Sequence, residues 1–366
     1  MNKTAAILIT VLAAAAVVAV VVLRPGTGRP APALAAAGET SPPVSPAARP
    51  KVLFVDSYHA GYPWSEEITD GVLKTFKIAR TADGHLDDAA SPVTLRILRM
   101  DTKRNTSEEF KARAGREARD AIESWQPDVV ICADDNASQY LIVPFYRGSR
   151  VPFVFCGVNW DATAFGFPWK NVTGMLEVCE IPALVDELRR HARGSRAGFL
   201  GARNETNAKE AESCRTQFGL AFEKVVFVQT FGEWKQAYLE LQGQVDLLIL
   251  AAPSFLADGP EAAGDVAEAR RFVLENTRIP AGSVQDWIAP YSLICYAKLG
   301  SEQGEWAAQA ALRILAGTPP RAIPITRNHH AQVYLNMPLS RRLGVTFSID
   351  LLERAVLISE EPPCAP

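Results

Sequence analysis

The residues able to do chemistry in this sequence gather directly behind short apolar runs. Ser57, Tyr58, His59, Tyr62 and Trp64 follow KVLFVD at 51–56, and Asp134, Asp135 and Asn136 follow PDVVICA at 127–133. Asn159, Trp160 and Asp161 come after VPFVFCGV at 151–158, Asn204 and Thr206 after a run ending near Leu200, and Ser254 after DLLILA at 246–251. These types suit binding. Aromatic rings stack on a flat or apolar ligand, hydroxyls and amides donate and accept, and carboxylates beside rings suit an ammonium. Asp286 and Trp287, ahead of the return to the first lobe, are expected to close such a cleft from the hinge side.

Catalysis finds little support. The phosphate-binding glycine loops, the nucleophile elbow G-x-S-x-G and the zinc helix H-E-x-x-H are all missing from the sequence. Asp134 and Asp135 are consecutive, and consecutive carboxylates rarely converge on one proton. His329 and His330 would point to opposite faces of a strand, which disfavours a shared metal. Six cysteines form no C-x-x-C, and Cys132 and Cys156 lie inside apolar runs, where a free thiol behaves as a small hydrophobe. The expectation is a binding protein that is not an enzyme, with no cofactor and no metal.

The elements that must position these residues alternate. Strands are expected at Lys51–Asp56, Val93–Met100, Pro127–Ala133 and Val151–Val158. Helices fill the gaps at Glu66–Phe76 and Thr106–Trp125, the latter opening on a Thr106-x-x-Glu109 capping box. The near-continuous apolar runs are those of parallel strands covered on both faces. A second series has helices at 181–192, 207–218, 234–241 and 265–275, and strands at 197–200, 225–229 and 246–251. The fold class is therefore α/β, with two doubly wound parallel-sheet lobes. Such sheets bind ligands at the carboxyl ends of their strands, where the polar and aromatic residues lie.

Composition narrows the partners. With 366 residues, 48% hydrophobic, 22% charged and a formal net charge of −3, the chain has material for two ordinary domains and no basic stripe for nucleic acid. Residues 1–23 contain one apolar stretch, Ala5–Leu23, behind Lys3. It reads as a cleaved signal peptide or as an uncleaved membrane anchor, and both readings place the remainder outside the cytoplasm. Residues 24–49, rich in Pro and Ala, read as a disordered spacer.

The order of SYHAGYPW (57–64), PDVVICADDNA (127–137), VPFVFCGVNWDA (151–162), NVTGM (171–175) and VYLNMPLSRRLGVTFSIDLLERA (333–355) resembles the ABC-transporter substrate-binding family of the tryptophan/tyrosine type. The resemblance implies a type I periplasmic-binding-protein-like fold whose lobes are joined by a three-stranded hinge. Lobe 1 would hold 50–172 plus 292–322, and lobe 2 would hold 173–291 plus 323–366. Crossings would fall near 172–174, 290–292 and 324–326. It also implies a monomer that captures a small metabolite, an amino acid or related carboxylate or aromatic, between the lobes for an ABC permease. The alternative is a membrane-anchored sensing module that feeds a signalling receptor. On either reading Ser57, Tyr58, His59, Tyr62, Trp64, Asp134, Asn136, Asn159 and Trp160 form one wall, and Asn204, Thr206 and Ser254 face them.

Overall fold

The computed structural model describes residues 49–251 and 262–359. The signal or anchor, most of the spacer and Ser254 lie outside the described residues.

The first run comprises β1 (Lys51–Asp56), α1 (Pro63–Thr75), a small hairpin of β2 (Ala79–Arg80) and β3 (Leu86–Asp87), β4 (Thr94–Arg99) and α2 (Glu108–Trp125). It continues with β5 (Val129–Ala133), α3 (Asp134–Ala137), a π-turn leading into α4 (Val143–Phe145), β6 (Phe153–Asn159) and β7 (Val172–Glu177). The second run comprises α5 (Ile181–His191), β8 (Ala197–Ala202), α6 (Glu205–Phe218), β9 (Phe222–Val228), α7 (Phe231–Leu241), β10 (Leu247–Leu250), α8 (Ala262–Asn276), β11 (Ala281–Ser283) and β12 (Ile294–Lys298). The chain closes with α9 (Gly300–Leu315), β13 (Thr326–Arg327), β14 (Ala331–Asn336), α10 (Met337–Leu343), α11 (Ile349–Arg354) and β15 (Ala355–Ile358).

Two sheets result. The first, ordered β13-β7-β6-β5-β1-β4, is parallel throughout. The second, ordered β15-β14-β12-β11-β10-β8-β9, is parallel except where β14 runs against β12. Every residue of β5 is buried, and β6 is buried up to Asn159, as strands covered on both faces require. On α2, Ala114, Ala118 and Ile122 are buried while Phe110 and Trp125 pack at the margin of the same core. Its cap is Ser107, whose hydroxyl accepts from the Phe110 N–H, so the expected start at Thr106 moves by one residue.

The crossings between sheets all fall downstream of their expected positions. The chain leaves the first sheet after Glu177, returns between Lys298 and Gly300, and leaves again after Arg327. The strand expected near 292–295 in the first lobe is β12, which pairs with β11 and β14 in the second sheet. Only α9 and β13 return to the first sheet. The reason is that an apolar run is equally at home in either sheet. The proline taken as the boundary, Pro290, lies inside the 3-10 turn Asp286–Tyr291.

Helix α9 docks on the first lobe through Ala307, Ala308, Ala310 and Ala311, which share a core with Val52, Phe54 and Ile68. The helices approach closely at two glycines. A Cβ on Gly304 would stand 2.0 Å from the Ile68 carbonyl oxygen, and one on Gly71 would stand 2.2 Å from that of Ser301. Backbone cannot yield that distance cheaply. Gly304→Ala should therefore destabilise the protein by about 1–3 kcal/mol. Gly232→Ala, in the open first turn of α7, should instead be neutral or stabilise by up to about 1 kcal/mol. Urea unfolding of both variants checks the contrast.

Candidate functional site

The carboxyl ends of β1, β4, β5, β6 and β7 face those of β11 and β12 across a cavity of about 440 Å³. One wall comes from the first lobe: Tyr58, Tyr62, Pro63, Trp64, Glu67, Lys103, Asp134, Asn159 and Glu177. The other comes from the second: Thr206 on α6, Val284, Gln285, Asp286 and Trp287 after β11, and Ala297 and Lys298 at the end of β12.

The loop after β1 is held by hydrogen bonds, and this decides which of its side chains reach the cavity. Asp56 accepts from Ser65 Oγ and from the Tyr58 N–H, both at 3.0 Å, and pairs with Arg99. Ser57 is fully buried: its Oγ donates to the Ala133 carbonyl at 2.6 Å and accepts from the Ala137 N–H at 2.8 Å. Thr102 Oγ1 donates to the Ser57 carbonyl and accepts from Asn136 Nδ2. Ser57 and Asn136 therefore bolt the loops together and do not line the cavity. His59 also stands outside the lining, tilted against Tyr62 with ring centres 5.7 Å apart and Nδ1 3.7 Å from Asp101.

The aromatic wall is built from three rings. Tyr58 and Tyr62 meet edge to face at 5.2 Å, and Lys103 Nζ lies 5.1 Å from each ring centre. Trp64 opens α1 beside the Pro63 that starts the helix. Its Nε1 donates to Asp134 Oδ1 at 2.8 Å, and Lys298 Nζ sits 5.7 Å from its ring.

Asp134 is the first residue after β5, 1% exposed, with a left-handed φ of 68°. Its Oδ2 has no hydrogen-bond partner among the described residues. Gly157, itself at φ 67°, makes room for it, since a Cβ there would stand 2.8 Å from Asp134 Oδ1. Burial, reinforced by Asp56 and Glu177, pushes the Asp134 pKa well up against the opposing Trp64 bond. Asp135 turns away and accepts from the Asn159 N–H and Nδ2, so the adjacent carboxylates form no dyad.

The remaining expected residues divide. Thr206 lines the cavity, whereas Asn204 caps α6 by accepting from the Asn207 N–H at 2.8 Å. Trp160, at φ 60°, donates its N–H to the Glu177 carbonyl and packs its ring against Phe218 and the second-lobe core. Its role is contact between the lobes. Asp286 and Trp287, expected at the hinge side, line the cavity from the second lobe after β11. Lys103, Glu67, Glu177 and Lys298 were not anticipated. Lys103 follows β4 by the strand-end logic that marks the other loops, and that signal was available.

Lys298 and Glu177 form an ion pair across the first two crossings, with side chains 14% and 8% exposed. Burial works against the Lys298 ammonium, but Cys179, Glu177 and Glu210 outweigh it and raise its pKa. Glu210, buried on α6 with no partner for Oε1 among the described residues, is pushed up to about 7 by burial, against the pull of Lys298. Among the described residues, no group of three or more His, Cys, Asp or Glu is placed to hold a metal. His329 and His330 instead donate their backbone N–H groups to the Glu302 carboxylate.

Comparison with known proteins supports the fold from outside the chain. No protein-family model matches the sequence, and no curated protein sequence matches it. Among solved structures, it is similar to the ligand-free, open structure of CD0873, a substrate binding protein with adhesive properties from Clostridium difficile. The TM-score is 0.63 at 15% identity, over 84% of this chain and 99% of that one. It is also similar to a conserved domain protein from Vibrio cholerae (TM-score 0.54, 16% identity, 84% and 99% covered). A third is the ABC domain from Streptococcus pneumonia in complex with L-Trp (TM-score 0.53, 16% identity, 85% and 99% covered). The chain has the type I periplasmic-binding-protein fold, α/β with two lobes.

The buried acids make stability depend on pH. The folded pKa of Glu210, about 7, lies above its ordinary value of 4.5. The folded state therefore holds that proton more tightly than the unfolded chain. The resulting stability is complete below about pH 4.5 and is lost as pH rises through about 7. Glu210→Gln should remove this slope and leave the variant more stable than the parent at pH 8, by on the order of 3 kcal/mol. Urea midpoints from pH 5 to 8 test it.

Proposed function

We propose that the protein is an extracytoplasmic solute-binding protein that captures a small metabolite between its lobes for an ABC importer, without catalysing a reaction. An amino acid or a related aromatic is the ligand that suits the cavity. The observation carrying this reading is the cavity itself: three aromatic rings and the buried Asp134 carboxylate on one lobe, opposed by Thr206, Asp286 and Trp287 on the other. A ligand of amino-acid size would touch both lobes at once, and a ligand that bridges two lobes favours their closed arrangement. Rings stack on its side chain, and Asp134 receives its ammonium.

The sensing alternative differs in what residues 5–23 do. If they stay as an anchor, ligand occupancy passes to a neighbouring receptor and not to a permease. Intact mass spectrometry of the mature N-terminus separates the two.

Binding should appear as stabilisation. A ligand present at about 100 times its Kd adds about 2.7 kcal/mol to the unfolding free energy, visible as a raised Tm in a metabolite screen. Trp64→Ala removes a ring and the Asp134 donor together, and should weaken binding about 10- to 100-fold. Trp64→Phe, which keeps an aromatic ring, should fall between. No stabilisation by any amino acid, amine or aromatic acid would count against this ligand class.

A further inference from the structure

Six charged side chains line the cavity: the carboxylates of Glu67, Asp134, Glu177 and Asp286, and the ammonium groups of Lys103 and Lys298. Glu177 and Lys298 satisfy each other. What remains is three acids against Lys103, whose Nζ is already drawn onto the Tyr58 and Tyr62 rings. No arginine stands among the described lining residues. The fork that commonly holds a carboxylate in two parallel hydrogen bonds is therefore absent from the described wall.

Asp134 supplies the second, independent observation. It is 1% exposed, lines the cavity, and presents an Oδ2 with no partner among the described residues while its Oδ1 is fixed by the Trp64 indole. A buried carboxylate oxygen in this state is poorly satisfied by the protein and well satisfied by a donor that also carries positive charge. The Tyr58, Tyr62 and Trp64 rings line the same wall and offer apolar surface to the ligand's own ring.

Resting on the solute-binding reading above, we propose that the site is selective for organic amines: the ligand is an aromatic or apolar monoamine cation whose ammonium sits on Asp134, and an α-carboxylate on the ligand is a burden and not a handle. Burial and the nearby Asp56 and Glu177 carboxylates resist ionisation of Asp134 in the empty site. A ligand ammonium relieves that repulsion, whereas a ligand carboxylate adds to it. Asp286 and Glu67 extend the same sign of charge across the cavity.

The test holds the ring constant and varies the charged groups. Calorimetric titrations of the full chain would use tryptamine, L-tryptophan and indole-3-propionate, with phenethylamine, L-phenylalanine and phenylpropionate as a second set. The expected order is amine, then amino acid, then acid, with at least tenfold between the amine and the acid. Asp134→Asn, nearly isosteric, should weaken the amine at least tenfold and leave the acid unchanged or improved. Asp286→Asn should weaken the amine less. An acid or amino acid binding as tightly as its amine overturns the proposal, as does failure of both amines to bind. If Asp134→Asn does not fold, the ligand order on the parent protein decides alone. Native mass spectrometry reads the parent hypothesis separately: a small molecule retained in the cleft keeps the solute-binding reading even if the amines fail.

Discussion

A buried ammonium organises this molecule. Lys298 is the last residue of β12, at the point where the chain returns to the first lobe, and it pairs with Glu177, the last residue of β7, where the chain first leaves it. An unpaired charge at that depth would cost several kcal/mol, so the two crossings are held together. The third is tied to the first by Asn328, whose Oδ1 accepts from the Val178 N–H at 2.7 Å and whose Nδ2 donates to the Val178 carbonyl at 2.9 Å. From this junction the constraint runs into the site. Lys298 Nζ lies near the Trp64 ring, and the Trp64 indole fixes Asp134. The crossings and the cavity wall are thus joined by one continuous set of contacts.

Much of the element order is readable from residue pattern, because parallel strands buried on both faces leave apolar runs that little else produces. VVICA and FVFCGV are such runs, and both are buried from end to end. Sheet membership is not readable in the same way. ICYAK would be equally apolar in either lobe, and only the positions of its neighbours place β12 in the second sheet. Short polar side chains cause a similar ambiguity one residue at a time, as Ser107 and not its neighbour Thr106 proves to cap α2.

The site was half visible for a related reason. Proximity to a strand end selects a loop, but it does not say whether a side chain in that loop faces the cavity or the backbone. Ser57 and Asn136 have the right chemistry and are consumed in holding loops together. Trp160 has the right ring, but it packs on the opposite lobe. Glu177 and Lys298 were hidden by the opposite error. Charged residues at the ends of strands ordinarily mark solvent, and nothing local reveals that two such ends meet and bury one another.

Asp134 breaks several local rules together. A non-glycine residue in the left-handed region is disfavoured, a buried carboxylate is disfavoured, and an unpartnered buried oxygen is disfavoured again. Packing does not require the last two, since an apolar side chain after β5 would avoid them, while the left-handed backbone is one that aspartate tolerates better than most residues. Yet the surroundings accommodate the residue: Gly157 leaves space, Trp64 supplies one hydrogen bond, and Ser57 anchors the start of its helix. A disfavoured arrangement maintained with this much support is what the proposed binding role for Asp134 would require. On the amine-binding reading proposed above, the partner brings positive charge and hydrogen-bond donors to a poorly solvated carboxylate, where their attraction to it is strongest.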